Sequence, residues 1–163
     1  MHRLESALDH KPGFGRATQV STTVLVGGLR CRTDEGTHRI DSDLPAALGG
    51  GGTGPTPGVL LRAALGSCLA IGYRLRAARH GVALRAIRVV VETDSEIEGL
   101  LRLQSTSPPG FTQVRYHVEI ETDARVEDVE PIVDEGDRLS PMVDAVGRAN
   151  QLQRSLSVIG GSG

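Results

Sequence analysis

Residues 54–70 read Gly54-Pro55-Thr56-Pro57-Gly58-Val59-Leu60-Leu61-Arg62-Ala63-Ala64-Leu65-Gly66-Ser67-Cys68-Leu69-Ala70. Pro57 suits the first position of a helix, because its φ is already near the helical value and its missing N–H would have had no intrahelical acceptor there. Thr56 before it can cap the exposed amides. From Pro57 onward, Leu61, Ala64, Leu65, Cys68, Ile71, Gly72 and Leu75 recur at three-and-four spacing, and His80-Gly81 supplies a last-turn cation followed by a C′ glycine. The pattern predicts a long helix with the thiol of Cys68 on its apolar side.

A cysteine on such a face is most often a small inert hydrophobe. A reactive thiol needs a cation nearby, and the same helix does not supply one. Arg62 lies about 120° around the axis from Cys68, and Arg79 shares its face but is about 16 Å further along at 1.5 Å per residue. Any activating group has to come from another element.

With 163 residues, 39% hydrophobic and 23% charged, the chain has the size of one domain with one core. Lys11 is the only lysine among 18 basic residues, and 20 acids balance them to a formal net charge of −2. That balance excludes a nucleic-acid patch and an anionic membrane surface as partners. Aromatics make up 2% and Trp is absent, so the stacking platforms of single-strand binders are missing and Val, Leu, Ile and Ala must build the interior. The longest apolar runs fall short of the ~18 residues a membrane span needs, and residues 1–18 contain no apolar leader core. A cytoplasmic protein is expected. Two cysteines, Cys31 and Cys68, are too few for a disulfide framework and lack metal-ligand spacing. No metal and no cofactor is expected.

Residues 1–17 mix charge, Gly and Pro without period and read as a loose arm; 18–159 read as a single domain, and Gly160-Gly161-Ser162-Gly163 as a frayed tail. Val20, Thr22, Val24 and Val26 alternate with other residues, Gly27-Gly28 turns toward Leu29-Arg30-Cys31-Arg32, and Asp34-Glu35-Gly36 turns again before His38 to Asp41, which predicts a three-stranded meander. Gly49 to Gly52 read as a flexible loop, since no Lys-Ser/Thr pair follows to make a phosphate cradle. After the helix, Leu84 to Glu92 reads as a Val- and Ile-rich strand. Val114, Tyr116, Val118 and Ile120 then alternate with polar residues, including His117 on the wet face. Val126, Val129, Ile132, Val133 and Leu139 suggest an acidic helix in which Pro131 implies a late start or a kink. Ser140-Pro141 looks like a cap and first position of a short helical turn, and Leu152, Leu156 and Val158 suggest a final strand. The order β-β-β-α-β-β-α-turn-β indicates an α+β fold with a largely antiparallel sheet around the long central helix.

At this level the chain resembles the OsmC/Ohr family of osmotically inducible and organic-hydroperoxide-resistance proteins over about residues 18–159. The carrying residues are the stretch 52–70, His80-Gly81-Val82, Ile87 to Val91 and Ser140-Pro141-Met142-Val143. The resemblance implies an interleaved α+β homodimer in which a helix cysteine attacks organic hydroperoxides and a second cysteine resolves the sulfenic acid as a disulfide. Cys68 matches the attacking cysteine. A thiolate can open the O–O bond, and a neighbouring thiol would prevent further oxidation. The second cysteine falls on Ser140, whose hydroxyl closes no disulfide, and Gly58 stands where the hydroperoxide enzymes carry a glutamate that orients an activating arginine. By order along the chain, Arg39 is the best placed match to that arginine, with Arg30 and Arg32 behind it.

Two readings follow. In the first, the chain is a thiol redox protein of oxidative-stress defence that reduces organic hydroperoxides through Cys68 alone, regenerated by an external thiol reductant. In the alternative, it is a non-catalytic dimer of the same fold that binds an apolar small molecule or partner, with Cys68 as a lining residue. Cys31 shares a strand face with Leu29 and reads as a packed strand residue; a general disulfide exchanger would require it to lie close to Cys68, within a Cα separation of roughly 7 Å.

Overall fold

Alternation along residues 22–42 produces the expected meander. In the computed structural model, which describes residues 10, 11, 13–102 and 104–159, strands β1 (Thr22–Gly27), β2 (Arg30–Glu35) and β3 (His38–Ser42) form one antiparallel sheet in the order β1-β2-β3. The register puts Cys31 between Leu25 and Ser42 on one face, and Arg32 opposite Asp41 and Asp34 opposite Arg39 on the other. These cross-strand pairs carry opposite charges, which favours that register. The meander and the following loop belong to a first unit, residues 1–57, and the rest of the chain forms a second, residues 58–163.

The glycine run, expected to be a flexible loop, is fastened to one carboxylate instead. Asp43 is 3% exposed and accepts hydrogen bonds from Leu44 N at 2.8 Å, Gly51 N at 3.1 Å, Thr53 N at 3.1 Å and Thr53 Oγ1 at 2.9 Å. A buried carboxylate requires such donors. The loop passes so close to itself that a Cβ on Gly50 would fall 1.9 Å from the Leu44 carbonyl oxygen, so no side chain fits there.

The second unit is built on α1 (Pro57–Arg79), whose Leu65, Leu69, Tyr73 and Ala77 are its buried residues. They pack on a two-stranded antiparallel sheet, β4 (Leu84–Ser95) with β5 (Phe111–Thr122). Leu65, Leu69 and Tyr73 meet Val89, Val91, Val114 and Val118, while Ala77, Leu84 and Ile132 form a second cluster at the far end. Helices α2 (Ile97–Leu101), α3 (Val126–Arg138) and α4 (Pro141–Gly147) complete the unit. The mixed α+β class and the antiparallel pairing are as expected.

Several details differ from the sequence pattern. The buried stripe of α1 runs through every fourth residue from Leu65, about a third of a turn away from the stripe predicted, and Ile71 and Leu75 are 60% and 44% exposed. The helix is apolar nearly all round, so its period does not single out one face. At 23 residues it is also long and apolar enough, by length and composition, to cross a membrane, although short apolar runs argued against any such segment; here Leu65, Leu69, Tyr73 and Ala77 pack it on β4 and β5. Helix α3 runs from Val126 through Pro131, its sixth residue, so of the late start or kink expected the late start does not occur; the ring gives up the hydrogen bond to the Glu127 carbonyl and crowds that oxygen. The loop between β4 and β5 contains the unforeseen α2. Residues 151–159 carry no strand, and Leu152, Leu156 and Val158 are 94%, 77% and 82% exposed, because a strand needs a neighbour for its backbone and this segment has none among the described residues. The expected frayed tail, and most of the expected loose arm, lie outside the described residues.

Two stability measurements check this architecture. Leu69→Ala, at a fully buried position, should cost about 2–5 kcal/mol in urea unfolding. The Asp43 carboxyl is held below the usual carboxylate range, first by the Thr53 amide and against the opposing effect of burial. Its contribution to stability is therefore present above the unfolded value of about 3.9 and is lost as pH falls through the folded value. Asp43→Asn should lower the melting temperature at pH 7 and flatten its fall on acidification; an unchanged acid limb would contradict the assignment.

Candidate functional site

The thiol predicted on the long helix meets the serine predicted at the start of the last turn. Cys68 is half-buried on α1, and its Sγ lies 3.4 Å from Ser140 Oγ. Ser140 caps α4 as the Ser-Pro reading predicted: Oγ accepts from Val143 N at 3.3 Å, with Pro141 in the first turn. The serine is 4% exposed, so its hydroxyl sits inside the protein and not in water.

Beside this pair, Tyr73 donates from its hydroxyl to Asp137 Oδ1 at 2.5 Å. Burial, and then the bond to Asp137, push the Tyr73 phenol well above its ordinary value, and Tyr116 is raised by the same two causes in the same order. Both phenols stay neutral, and Asp137 is the acceptor of the Tyr73 hydroxyl. Gly136 makes this approach possible: a Cβ there would lie 2.5 Å from Tyr73 Cδ1. The sequence showed Tyr73 only as one residue of an apolar helix; its four-residue spacing from Leu65 and Leu69 was the signal available, while Asp137 sits in an acidic segment that offers no reason to choose it over its neighbours.

Further along the helix, Arg76 Nε lies 3.6 Å and His80 Nε2 3.0 Å from the Glu135 carboxylate. The His80 hydrogen bond, followed by the charge of Arg76, holds that carboxyl below its usual range against desolvation. His80, read from the sequence as a last-turn cation, thus joins α1 to α3. Arg62 donates from Nη1 to Thr93 Oγ1 of β4 at 2.8 Å.

The other sequence-predicted residues belong to the first unit. Arg39 points its Nε at Asp34 Oδ1, 2.7 Å away, in an exposed ion pair. Arg32 pairs with Asp41 at 3.0 Å. Cys31 is half-buried with a free thiol. The first turn of α1, where Gly58 stands, carries no acidic residue, so no carboxylate from that turn can orient an arginine. Among the described residues no cluster of three or more His, Cys, Asp or Glu could hold a metal ion.

An apolar helix carrying one thiol, packed on an antiparallel sheet and met by a capped helical turn, defines an α+β thiol-bearing fold. The family model for OsmC-like proteins matches residues 49–154, and the chain belongs to that family. Among solved structures, an OsmC-like protein from Mycoplasma pneumoniae is similar at 17% identity and TM-score 0.67, over 80% of this chain and 88% of that one. An organic hydroperoxide resistance protein OsmC from Legionella pneumophila is similar at 22% identity and TM-score 0.58, over 80% and 89%. A third, an organic hydroperoxide resistance protein from Elizabethkingia anophelis with thiocyanate bound, is similar at 16% identity and TM-score 0.63, over 82% and 90%. Identities at this level establish the shared fold. No curated protein matches the chain.

The Gly136–Tyr73 contact is testable. Gly136→Ala must displace the Tyr73 ring from Asp137 and should cost about 1–3 kcal/mol in urea unfolding, the usual toll of overpacking; an unchanged midpoint would mean that the ring has room to give.

Proposed function

We propose that the chain is an OsmC-like thiol redox protein that reduces organic hydroperoxides with Cys68 as its single attacking cysteine. The observation that carries this reading is the half-buried Cys68 thiol facing the Ser140 hydroxyl at 3.4 Å, on the helix that the family match spans. In the first step the Cys68 thiolate attacks one oxygen of ROOH; the O–O bond breaks, the sulfur becomes a sulfenic acid, and ROH leaves after taking up a proton. Ser140 cannot form a disulfide, so an external thiol R′SH condenses with the sulfenic acid to give a mixed disulfide and water. A second R′SH then releases R′SSR′ and restores the Cys68 thiol. Arg39 is the cation this reading assigns to the thiolate.

We also propose that the working form is a homodimer. Ile71 and Leu75 leave an apolar stripe of α1 uncovered, beside a cavity of about 330 Å³ lined by Ala70, Ile71, Arg74, Leu75 and Ile87. Exposed stripes of this kind mark interaction surfaces. The same stripe and the loss of the second thiol at Ser140 favour the alternative, a non-catalytic dimer whose apolar cleft holds a hydrophobic ligand.

The deciding experiment treats reduced protein with cumene hydroperoxide and with hydrogen peroxide in the presence of dimedone. The expected outcome is a dimedone mass shift on Cys68, faster with the organic peroxide, lost in Cys68→Ser and kept in Cys31→Ser. No labelling at excess peroxide would leave the ligand-binding dimer. Light scattering should give twice the 17.2 kDa of the chain, with Leu75→Glu shifting the population toward the single chain; a wild-type protein of one-chain mass at micromolar concentration would refute the dimer.

A further inference from the structure

Ser140 has four hydrogen-bonding groups, and three are committed. Its backbone N–H donates to the Asp137 carbonyl at 3.2 Å, and its carbonyl accepts from Asp144 N at 3.1 Å. Its Oγ accepts from Val143 N at 3.3 Å. The fourth group is the hydroxyl hydrogen, inside a residue 4% exposed, where an unmet donor is penalised. Among the described residues its one acceptor is Cys68 Sγ at 3.4 Å.

We infer that Ser140 is a positioning residue that donates its hydroxyl hydrogen to the Cys68 sulfur and thereby sets the reactivity of the thiol. The donor direction follows from the hydroxyl hydrogen, which has no other acceptor among the described residues, and from the thiolate, which has no hydrogen to give; a hydrogen bond to an anionic sulfur is of the stronger, charge-assisted kind. The serine is held in place by a closed circuit. Cys68 and Tyr73 stand on the same helix; the Tyr73 hydroxyl holds the Asp137 carboxylate, the Asp137 carbonyl holds the Ser140 amide, and the Ser140 hydroxyl returns to Cys68. The serine that replaces a resolving thiol therefore tunes the thiol that remains.

The inference rests on Cys68 as the working thiol, and its test makes no use of peroxide, so its failure is distinct from failure of the hydroperoxide reading. In Cys31→Ser protein, Cys68 is the sole thiol, and its second-order rate with iodoacetamide at neutral pH can be read by mass spectrometry. Ser140→Ala should react about fivefold to tenfold more slowly, the worth of a hydrogen bond to a charged group reduced by about half because a less stabilised thiolate is also the better nucleophile. Ser140→Thr, which keeps the hydroxyl and the cap, should recover most of the rate, whereas Ser140→Asp, which keeps a capping oxygen but has no hydrogen to donate when ionised, should stay as slow as Ser140→Ala; a purely structural role as a cap would be rescued by both. Tyr73→Phe should slow the reaction in the same direction by a smaller factor. Alkylation of Ser140→Ala at the parent rate or faster would overturn the inference. Should Ser140→Ala fail to fold, the Raman S–H stretch of the parent Cys31→Ser protein decides: a band at the free-thiol position supports sulfur as acceptor, and a downshifted band, marking the thiol as donor to Ser140, overturns it.

Discussion

Burial of the Leu65, Leu69 and Tyr73 stripe of α1 on β4 and β5 is the constraint on which the second unit depends. These residues are 2%, 0% and 0% exposed, and Ala77 extends the anchor toward the end of the helix by packing with Leu84 and Ile132. Once that stripe is buried, the orientation of every other helix residue is set. Cys68 falls at the edge of the buried face, sheltered enough to have a hydrogen-bonded neighbour and open enough for chemistry. Ile71 and Leu75 fall on the uncovered side and stay exposed among the described residues.

Tyr73 links packing to the site. Its ring fills the space that Gly136 leaves, and its hydroxyl fixes Asp137, the residue whose carbonyl orients Ser140. A core contact thus determines where a polar group meets the thiol. The arrangement is rigid, so that packed surroundings hold the Cys68 sulfur and its hydrogen-bonding partner in one geometry. In the first unit Asp43 has a comparable organising role: a single carboxylate gathers the loop that leads toward the long helix.

Much of this was legible along the chain. Pro57 with Thr56 marked the helix start, Ser140-Pro141 marked the last turn, and the alternation from Val20 to Val26 with the glycine turns before Asp41 marked the meander, because caps, prolines and period-two patterns act through near neighbours. The final strand was misread because an alternating segment is a strand only when another backbone lies beside it. The buried face of α1 was misread because a helix apolar all round gives no angular preference until a sheet is placed against it.

The amino-acid sequence by itself determined the class of fold, the long helix, the presence of one thiol on it and the Ser-Pro cap of the last helical turn, since each is a matter of residue identity and local spacing. Tertiary structure alone decided that Ser140 meets Cys68, that Tyr73 and Asp137 hold it there, and that Asp43 closes the glycine loop. Cys68 and Ser140 are 72 positions apart and Tyr73 and Asp137 are 64, and no local propensity reaches across such separations; only the packing of the helices on the sheet brings those atoms within hydrogen-bonding distance.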